Sequence, residues 1–300
     1  MKQVLVLTGL TATGKSKLAI DWAKYFDGEI ISADSVAVYR QLSIVSAKPD
    51  SHQRSQVVHH GIDLVDVDRT FTIKDFRSYV IEKIDDISNR GKLPIIVGGS
   101  GLYLKAVLYD YEFSDEIRQD DSWAEEISNE ELHGMLAMID PKEAQKIHPN
   151  NRKRIIRALT IYKAQKTPKS QIIDKQQHQL QYDVLMFCAY LNKDRLHQQI
   201  DTRVDHMIQQ GLELEIRDAL RHATWEHPSM AAIGVKEFRP YFEQEATLEQ
   251  VSEQIKIRTK QFSKRQRTWF KHQFDAIWID MDDPRQISDA FQKVTSWIKR

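Results

Sequence analysis

The feature that most restricts the fold of this chain is a glycine-rich segment near its start. Residues 9–16 read Gly-Leu-Thr-Ala-Thr-Gly-Lys-Ser, which fits the pattern G-x-x-x-x-G-K-[ST] of a phosphate-binding loop. An apolar run at 3–8 precedes it and a helical pattern at 15–26 follows it. In that context backbone N–H groups converge on phosphate oxygens, Lys15 adds a positive charge and the Ser16 hydroxyl suits Mg²⁺. The segment therefore predicts a phosphate or diphosphate site on an α/β fold.

The periodicity of the chain indicates a parallel sheet with one helical interruption. Up to residue 108, short apolar runs alternate with helical patterns, which is typical of βα units. Strands are predicted at 3–8, 29–32, 60–65, 94–97, 182–191 and 276–280. Helices are predicted at 15–26, 73–89, 102–108, 129–139, 141–147, 151–166, 194–210, 212–222, 248–270 and 287–298. We predict a P-loop NTPase-like parallel sheet flanked by helices, with a catalytic core at 1–111 and 183–300 and an all-helical insertion domain at 112–182.

Charge is balanced over the chain but unevenly distributed along it. The sequence has 43 Lys and Arg and 43 Asp and Glu, so the total gives no sign of a polyanionic partner. Ten acidic residues lie between 110 and 131, whereas the windows 152–169 and 256–272 hold seven basic residues each and no acidic one. The second window mixes bases with aromatics, a composition found on nucleic-acid surfaces. A solvated helix face with two buried aromatics is the alternative.

Cysteine content and hydropathy bear on the compartment. The one cysteine, Cys188, lies in an apolar run and cannot form an internal disulfide, so we expect a buried, reduced thiol and a cytosolic protein. No run approaches the roughly 18–20 apolar residues of a membrane span, and the first residues lack the layout of a signal peptide. We therefore expect a cytoplasmic protein without membrane contact. Nothing in the sequence demands a dimer, so we expect a monomer.

An aspartate follows the second predicted strand. Asp34 would lie at the carboxyl edge of the sheet, where α/β proteins bind their ligands. There it could hold Mg²⁺ through water or accept a proton from a substrate, whereas an N-cap is the structural alternative. No other aspartate follows an apolar strand so near in sequence. The acidic partner usual in ATP-hydrolysing loops is therefore missing, which weakens an ATPase interpretation.

Three weaker signals complete the set. A second glycine-rich turn, 98–101, follows a strand and could bind a ligand or allow close helix–strand packing. Arg203 lies beside the apolar stripe of its helix, from which it could pair with phosphate or form a surface ion pair. His59, His60 and Asp63 have a spacing that suits no common metal site.

Together these motifs resemble the tRNA dimethylallyltransferases, also called tRNA isopentenyltransferases. The matching segments run in family order along nearly the whole chain and lie at 9–16, 31–35, 38–40, 47–49, 59–63, 98–103, 147–150, 157–159, 203–204, 211–213, 232–237, 264–266 and 268–270. The resemblance implies transfer of a dimethylallyl group from dimethylallyl diphosphate to N6 of the adenosine just 3′ of a tRNA anticodon. It also explains the missing acidic partner, because the loop would bind the diphosphate of a prenyl donor without ATP hydrolysis.

The resemblance implies roles for individual residues. The diphosphate would be bound by Gly9, Thr11, Ala12, Thr13, Gly14, Lys15, Ser16 and Arg203. Asp34 would act as base on the adenosine amine, with Thr11 and Arg203 as the other catalytic residues. Ser16 would bind Mg²⁺, with Asp34 as a second ligand through water.

The resemblance also implies a surface for the tRNA anticodon stem-loop. Its residues would be Asp34, Ser35, Val36, Ala37, Ser100, Lys153, Arg154, Ile155, Ile156, Arg157, Lys264, Arg265, Arg267 and Trp269. The helical insertion would correspond to a mobile domain that closes on the RNA. Ala37 stands where glutamine is usual and Val235 where tyrosine is common, and we expect these departures to alter tRNA contact while leaving the donor site intact.

Two other functions are compatible with the phosphate loop. An ATP-dependent small-molecule kinase would transfer phosphate without RNA, and a non-catalytic RNA-binding protein would bind tRNA without turnover. A single incubation with dimethylallyl diphosphate, Mg²⁺ and unmodified tRNA separates the three, since only the transferase forms a prenylated nucleoside.

Overall fold

The structure is a computed structural model that describes residues 1–110, 122–175 and 179–299. Half of the acidic window at 110–131 and the expected boundary at 111 and 112 lie outside these ranges. The chain divides into two compact units, of which one comprises Met1–Leu108 with Leu180–Arg300 and the other comprises Tyr109–Gln179. None of the helices that the structure describes is long and apolar enough to cross a membrane.

The first unit contains a six-stranded sheet in which neighbouring strands are parallel. Its strands are β1 (Gln3–Gly9), β2 (Gly28–Ser32), β3 (His59–His60), β4 (Leu93–Gly98), β5 (Asp183–Tyr190) and β6 (Ile277–Asp280). Their order across the sheet is β3-β2-β4-β1-β5-β6. The central strand β1 pairs with β4 through Leu5 and Ile95 and with β5 through Leu5 and Leu185. This confirms the predicted parallel α/β fold.

Thirteen α-helices lie in the ranges that the structure describes. They are α1 (Lys15–Tyr25), α2 (Ser51–Gln56), α3 (Ile73–Asn89), α4 (Gly101–Leu108), α5 (Asn129–Ile139), α6 (Pro141–Ala144), α7 (Arg152–Gln165), α8 (Lys169–Lys175), α9 (Lys193–Gln209), α10 (Leu212–Ala219), α11 (Arg239–Phe242), α12 (Leu248–Gln273) and α13 (Pro284–Ile298). Short 3₁₀ turns occupy Ser122–Ala124, Pro228–Ala231 and Lys236–Phe238. The long amphipathic helices agree with the predictions to within a few residues.

Four short elements differ from prediction. The strand predicted at 60–65 is wrong, because β3 ends at His60 and the chain then turns through Gly61 and Asp63, whose φ angles are +77° and +55°. Helices α2, α8 and α11 were not predicted, since four to seven residues carry too little periodicity. Helix α2 starts instead from a local signal, a capping box between Asp50 and Gln53.

Two apolar clusters of the first unit pack around the strands and the loops that follow them. One contains Leu10, Val204 and Ile255, so it joins the phosphate loop to helices α9 and α12. The other contains Trp22 and Phe187, whose rings meet edge to face at 5.5 Å. The central strands β1 and β4 are buried at nearly every residue, so both of their faces are covered and ligands have access at the strand ends. The loops after β1, β2 and β4 share the carboxyl edge. Cys188 is fully buried, as predicted.

The second unit is helical in its described part. Its core is formed by Leu132 and Leu136 of α5 with Ile155 and Leu159 of α7. Ser128 starts α5 with a capping box. The guanidinium of Arg152 donates to the carbonyl of Ile127 at 2.7 Å and also to that of Ala124, so this arginine of the basic window is a structural tie within the unit.

Candidate functional site

The phosphate loop has its conformation set by local residue types. Gly9 ends β1 with φ +139°, and a Cβ there would overlap the carbonyl of Ala189. Inside the loop, Thr13 Oγ1 and Lys15 Nζ both donate to the carbonyl of Leu10, at 2.9 and 3.0 Å. Lys15 therefore folds back over the loop at the start of α1, where a helix N-terminus favours anions. Ser16, the predicted Mg²⁺ ligand, is exposed beside it.

Arg203 lies at this loop, as its place on the helix predicts. It belongs to α9, far along the chain, and its Nη1 donates to Thr11 Oγ1 at 3.3 Å. Burial lowers the pKa of Lys15 to about 8, with the positive charge of Arg203 as the next cause and the charge of Asp34 opposing both. Burial also lowers the pKa of Arg203, against the charge of Asp34. Two cations held close in a partly desolvated place form a site for an anion of more than one charge.

Asp34 lies on the opposite side of the same edge, just beyond β2. Its Oδ1 accepts from the backbone N–H groups of Val36 and Ala37, at 2.8 and 3.3 Å. The capping alternative thus holds for one oxygen, although a turn rather than a helix follows. Within residues 1–110, 122–175 and 179–299, no hydrogen bond engages Oδ2. The carboxylate is therefore oriented by one oxygen and has the other available as a base.

The glycine-rich turn after β4 is tied to the loop that carries Asp34. Ser100 N donates to the carbonyl of Ala33 at 3.2 Å, and Ser35 N donates to Ser100 Oγ at 3.3 Å. These bonds bring Ser35 and Ser100 together, two of the predicted tRNA contacts. Close packing, the structural alternative for this turn, is observed, since Gly101 lies so near Trp269 that a Cβ there would overlap the indole. Ligand binding by the turn stays a prediction.

Gln266 is a site residue that sequence reasoning did not identify. It lies on the buried face of α12 with 5% of its surface exposed. Its Oε1 accepts from Thr11 N at 2.9 Å and its Nε2 donates to the carbonyl of Gly99 at 3.0 Å. One side chain therefore links the two glycine-rich loops. A signal was available, because residue 266 falls on the apolar row of the helix, where a polar residue needs a partner.

One ring of a stacked aromatic pair interacts electrostatically with Asp34. Tyr103 of α4 stacks on Phe76 of α3 with ring centroids 4.1 Å apart. Burial raises the pKa of Tyr103, and the nearby charges of Tyr39 and Asp34 raise it further. Because Phe76 is fully buried, only the half-buried Tyr103 presents an aromatic surface on the side of the carboxylate.

The basic window of α12 divides into two parts in space. Lys256 pairs with Asp205 at 2.8 Å, and Lys260 pairs with Asp201 at 2.6 Å, so these bases attach α12 to α9. The window contains no acidic residue, but the fold places two aspartates of α9 beside it.

Further along α12, Lys264, Arg265 and Arg267 are exposed. The Arg267 guanidinium lies 5.9 Å from the centroid of the Tyr190 ring. Trp269, a predicted tRNA contact, is half-buried. This part of α12 therefore has an exposed basic face, while its aromatic side chains pack against the protein.

Several predicted tRNA contacts need correction because their side chains are buried. Ile155 and Ile156 are 0% and 5% exposed in the core of the second unit, so neither can present its side chain to RNA. Their neighbours Lys153 and Arg154 are exposed, while Arg157 is half-buried.

The departures from the family pattern are likewise internal. Ala37 is 4% exposed, and Val36 is partly buried against the apolar cluster of α9 and α12. Val235 is fully buried, so its replacement of tyrosine affects packing rather than a tRNA contact, which corrects the expectation for that position.

The histidine pair serves a structural purpose. His60 Nε2 lies 2.8 Å from Glu29, and Arg90 pairs with the same carboxylate at 2.5 Å. Asp63 pairs with Lys48 at 2.8 Å. Among the residues described, no three His, Cys, Asp or Glu side chains are grouped as metal ligands.

Comparison with known proteins shows close relatives over the full length. The model of the IPP transferase family matches residues 37–273. The chain is similar to the tRNA dimethylallyltransferase of Bacillus cytotoxicus, with 38% identity over 299 residues that cover 98% of this chain and 95% of the relative. It is also similar to the tRNA dimethylallyltransferase of Bacillus cereus, with 37% identity over 305 residues that cover 100% of this chain and 96% of the relative.

Solved structures show the same similarity in three dimensions. The full-length tRNA isopentenylpyrophosphate transferase from Bacillus halodurans aligns with a TM-score of 0.76 and 32% identity, covering 100% of this chain and 97% of that chain. A eukaryotic dimethylallyltransferase acting on tRNA aligns with a TM-score of 0.83 and 30% identity, covering 98% of this chain and 78% of that chain. The similarity therefore includes both glycine-rich loops and the helix that carries Gln266.

Proposed function

The chain belongs to the IPP transferase family and is a tRNA dimethylallyltransferase by activity, and on that premise we propose how its residues perform the transfer. The donor is dimethylallyl diphosphate, and the acceptor is the exocyclic N6 amine of the adenosine that follows the anticodon. The new N6–C1 bond forms as the C1–O bond to diphosphate breaks. One proton leaves the amine, and the products are N6-(dimethylallyl)adenosine and diphosphate.

The observation that carries the donor half is the convergence of Lys15, Arg203 and the Thr11 hydroxyl on one loop. Negative charge grows on the diphosphate as the allylic carbon separates from it. Cations and N–H groups already aimed at that place stabilise the growing charge without reorganisation. The lowered pKa of Lys15 fits this role, because a cation that is poorly solvated in the free protein gains most from a bound anion.

The acceptor half depends on Asp34. The adenine amine is a poor nucleophile because its lone pair is delocalised into the ring, so a carboxylate that accepts its N–H increases the electron density on nitrogen. Oδ1 is held by two backbone N–H groups, which leaves Oδ2 to take the proton. A base inside an RNA stack cannot reach this edge, so we expect it to flip out, with the half-buried ring of Tyr103 as an aromatic surface to stack against.

The residues present fit Mg²⁺ as a cofactor. Magnesium is usually held by one or two protein oxygens together with substrate phosphates, so a larger acidic cluster is not required. Ser16 at the start of α1 is an oxygen donor of that kind, and Asp34 across the edge would contact the ion only through water, which leaves its Oδ2 as the base. When bound, Mg²⁺ would neutralise part of the charge of the departing diphosphate.

The exposed bases provide a surface for the RNA backbone. We assign Lys264, Arg265 and Arg267 of α12 to phosphate contacts in the first unit, and Lys153 with Arg154 to phosphate contacts in the second. The anticodon stem-loop is the expected partner. The monomeric state and the cytosolic location stay predictions from the sequence.

The test is an incubation of the protein with dimethylallyl diphosphate, Mg²⁺ and unmodified tRNA, followed by mass analysis of the nucleosides. We expect an adenosine heavier by one dimethylallyl group. ATP turnover with no such product would favour the kinase alternative and refute the transferase. RNA binding without either product would favour the non-catalytic alternative.

A pair of variants tests the role of the base. Asp34→Asn keeps the acceptor oxygen for the two N–H groups but loses the basic carboxylate, so we expect turnover to fall about 100-fold or more. Asp21→Asn, an exposed aspartate on α1, is the matched control and should retain full turnover. Full turnover by Asp34→Asn would remove Asp34 as the base and leave the overall reaction standing.

A further inference from the structure

Gln266 lies between the donor and the acceptor parts of the site without being exposed to either substrate. Its side-chain amide is buried, and both of its ends are satisfied by backbone groups of different loops, Thr11 N and the Gly99 carbonyl. A buried amide is costly unless fully bonded, so this pairing strongly determines where α12 can rest. A Cβ at Gly99 would overlap Gln266 Nε2, which shows how closely the two approach.

Each end of the amide is connected to residues of one half of the site, the donor half or the acceptor half. Thr11, held through its N–H, receives a hydrogen bond from Arg203 through its hydroxyl. On the other side, Gly99 precedes Ser100, whose N–H and Oγ fasten the backbone of Ala33 and Ser35 on either side of Asp34. Hydrogen bonds and the Gly99–Ser100 peptide link therefore connect Arg203, on the diphosphate side, to the backbone on either side of Asp34 through one glutamine.

We propose that Gln266 is a positioning residue for the transfer, and that its amide holds the phosphate loop and the turn 98–101 at the separation at which the allylic carbon and the adenosine amine can react. The inference rests on the transferase function proposed above. Only a side chain that both accepts and donates can bond both loops. A carboxylate would repel the Gly99 carbonyl, and a thioether would bond neither loop.

A positioning role predicts a specific kinetic pattern. In Gln266→Met, donor and tRNA retain their direct contacts, so the dissociation constant of each should stay within about 3-fold of wild type. The saturating single-turnover rate should fall about 10- to 100-fold, because a shift of about 1 Å between reacting groups costs that much. A single-turnover measurement excludes product release from the readout.

The matched control is another glutamine on the same helix. Gln273 accepts from Lys105 of α4 at 2.8 Å, at the surface and away from both glycine-rich loops. Gln273→Met should keep the wild-type rate and both affinities. If wild type and Gln273→Met form no prenylated nucleoside, the proposed function fails; if they form it, the result for Gln266→Met tests the positioning role alone.

A second variant displaces the amide without removing it. Gly99→Ala should lower the single-turnover rate as Gln266→Met does, and it tests the same point if Gln266→Met does not fold. In a Gln266→Ala background, where the new methyl has room, Gly99→Ala should cause no further loss. An unchanged rate in either single variant would overturn the proposal. A weakened affinity for dimethylallyl diphosphate with an intact rate would also overturn it, because Gln266 would then be a donor contact.

Discussion

Replacing Lys15 by methionine should make the free protein more stable and the diphosphate-bound protein less stable than the wild type. The fall in the pKa of Lys15 from its usual 10.5 to about 8 corresponds to about 3 kcal/mol against the charged form in the folded protein. Lys15→Met removes that cost. It also removes one hydrogen bond to the Leu10 carbonyl, worth about 1 kcal/mol, although Thr13 still donates there. The net gain at pH 7 is about 2 kcal/mol, or about 4 °C in Tm.

The pH dependence separates this explanation from a general packing effect. Because the pKa of Lys15 is lower in the folded protein than in the unfolded chain, the unfolded chain binds more protons between about pH 8 and 10.5. The stability of the wild type should therefore rise through that window relative to Lys15→Met. The advantage of the variant should be fully present below pH 8 and vanish near pH 10.

The assay is thermal unfolding from pH 6.5 to 10, with and without inorganic diphosphate. Diphosphate should stabilise the wild type and have little effect on Lys15→Met, so the order of stability reverses when it is present. Lys17→Met, an exposed lysine two residues further on α1, serves as the control and should change neither quantity. The reasoning is refuted if Lys15→Met is less stable than the wild type at pH 7, or if the difference between them does not vary with pH.

Three other predictions follow from the same contacts. The hydrogen-bonded ion pair with Arg90 lowers the pKa of Glu29 to about 2. The resulting stabilisation of about 3 kcal/mol is present above pH 4.5 and is lost as the pH falls to 2, so Glu29→Gln should flatten that part of the acid unfolding curve. Lys264→Gln should reduce the salt dependence of tRNA affinity by about one charge, whereas Lys256→Gln, already paired within the fold, should not; equal slopes would contradict the assignment. Gly101→Ala should lower the free energy of unfolding in urea by about 1–3 kcal/mol, because its methyl meets the Trp269 ring. The same substitution should cost less when Trp269 has already been replaced by alanine.

The sequence predicted the sheet well because its signals are local. Buried parallel strands are continuous apolar runs, and long helices such as α3 and α5 repeat their apolar residues often enough to set both ends. Short elements failed for the converse reason. The strand expected at 60–65 has apolar residues but turns at Gly61 and Asp63, and α8 has only seven residues.

Predictions for the site were accurate where a residue acts through its own loop. Lys15 and Asp34 follow directly from strand, loop and helix order, so their place at the sheet edge could be predicted. Burial could not. The basic stretch at 153–157 predicts a charged surface, but α7 turns Ile155 and Ile156 into the core, because their side chains complete the apolar face against α5.

The sequence alone establishes the chemistry of the loops. It places glycine where the backbone has a positive φ or a close neighbour, a lysine and a serine at a helix start, and a carboxylate after a strand. Those features depend on neighbours along the chain, so they can be read without a fold. The packing of the helices, by contrast, brings Arg203 to Thr11, lets Gln266 join two loops, and pairs two of the seven bases at 256–272 with aspartates of α9. Those outcomes depend on residues far apart in sequence, whose hydrogen bonds and charges are set by how the helices pack.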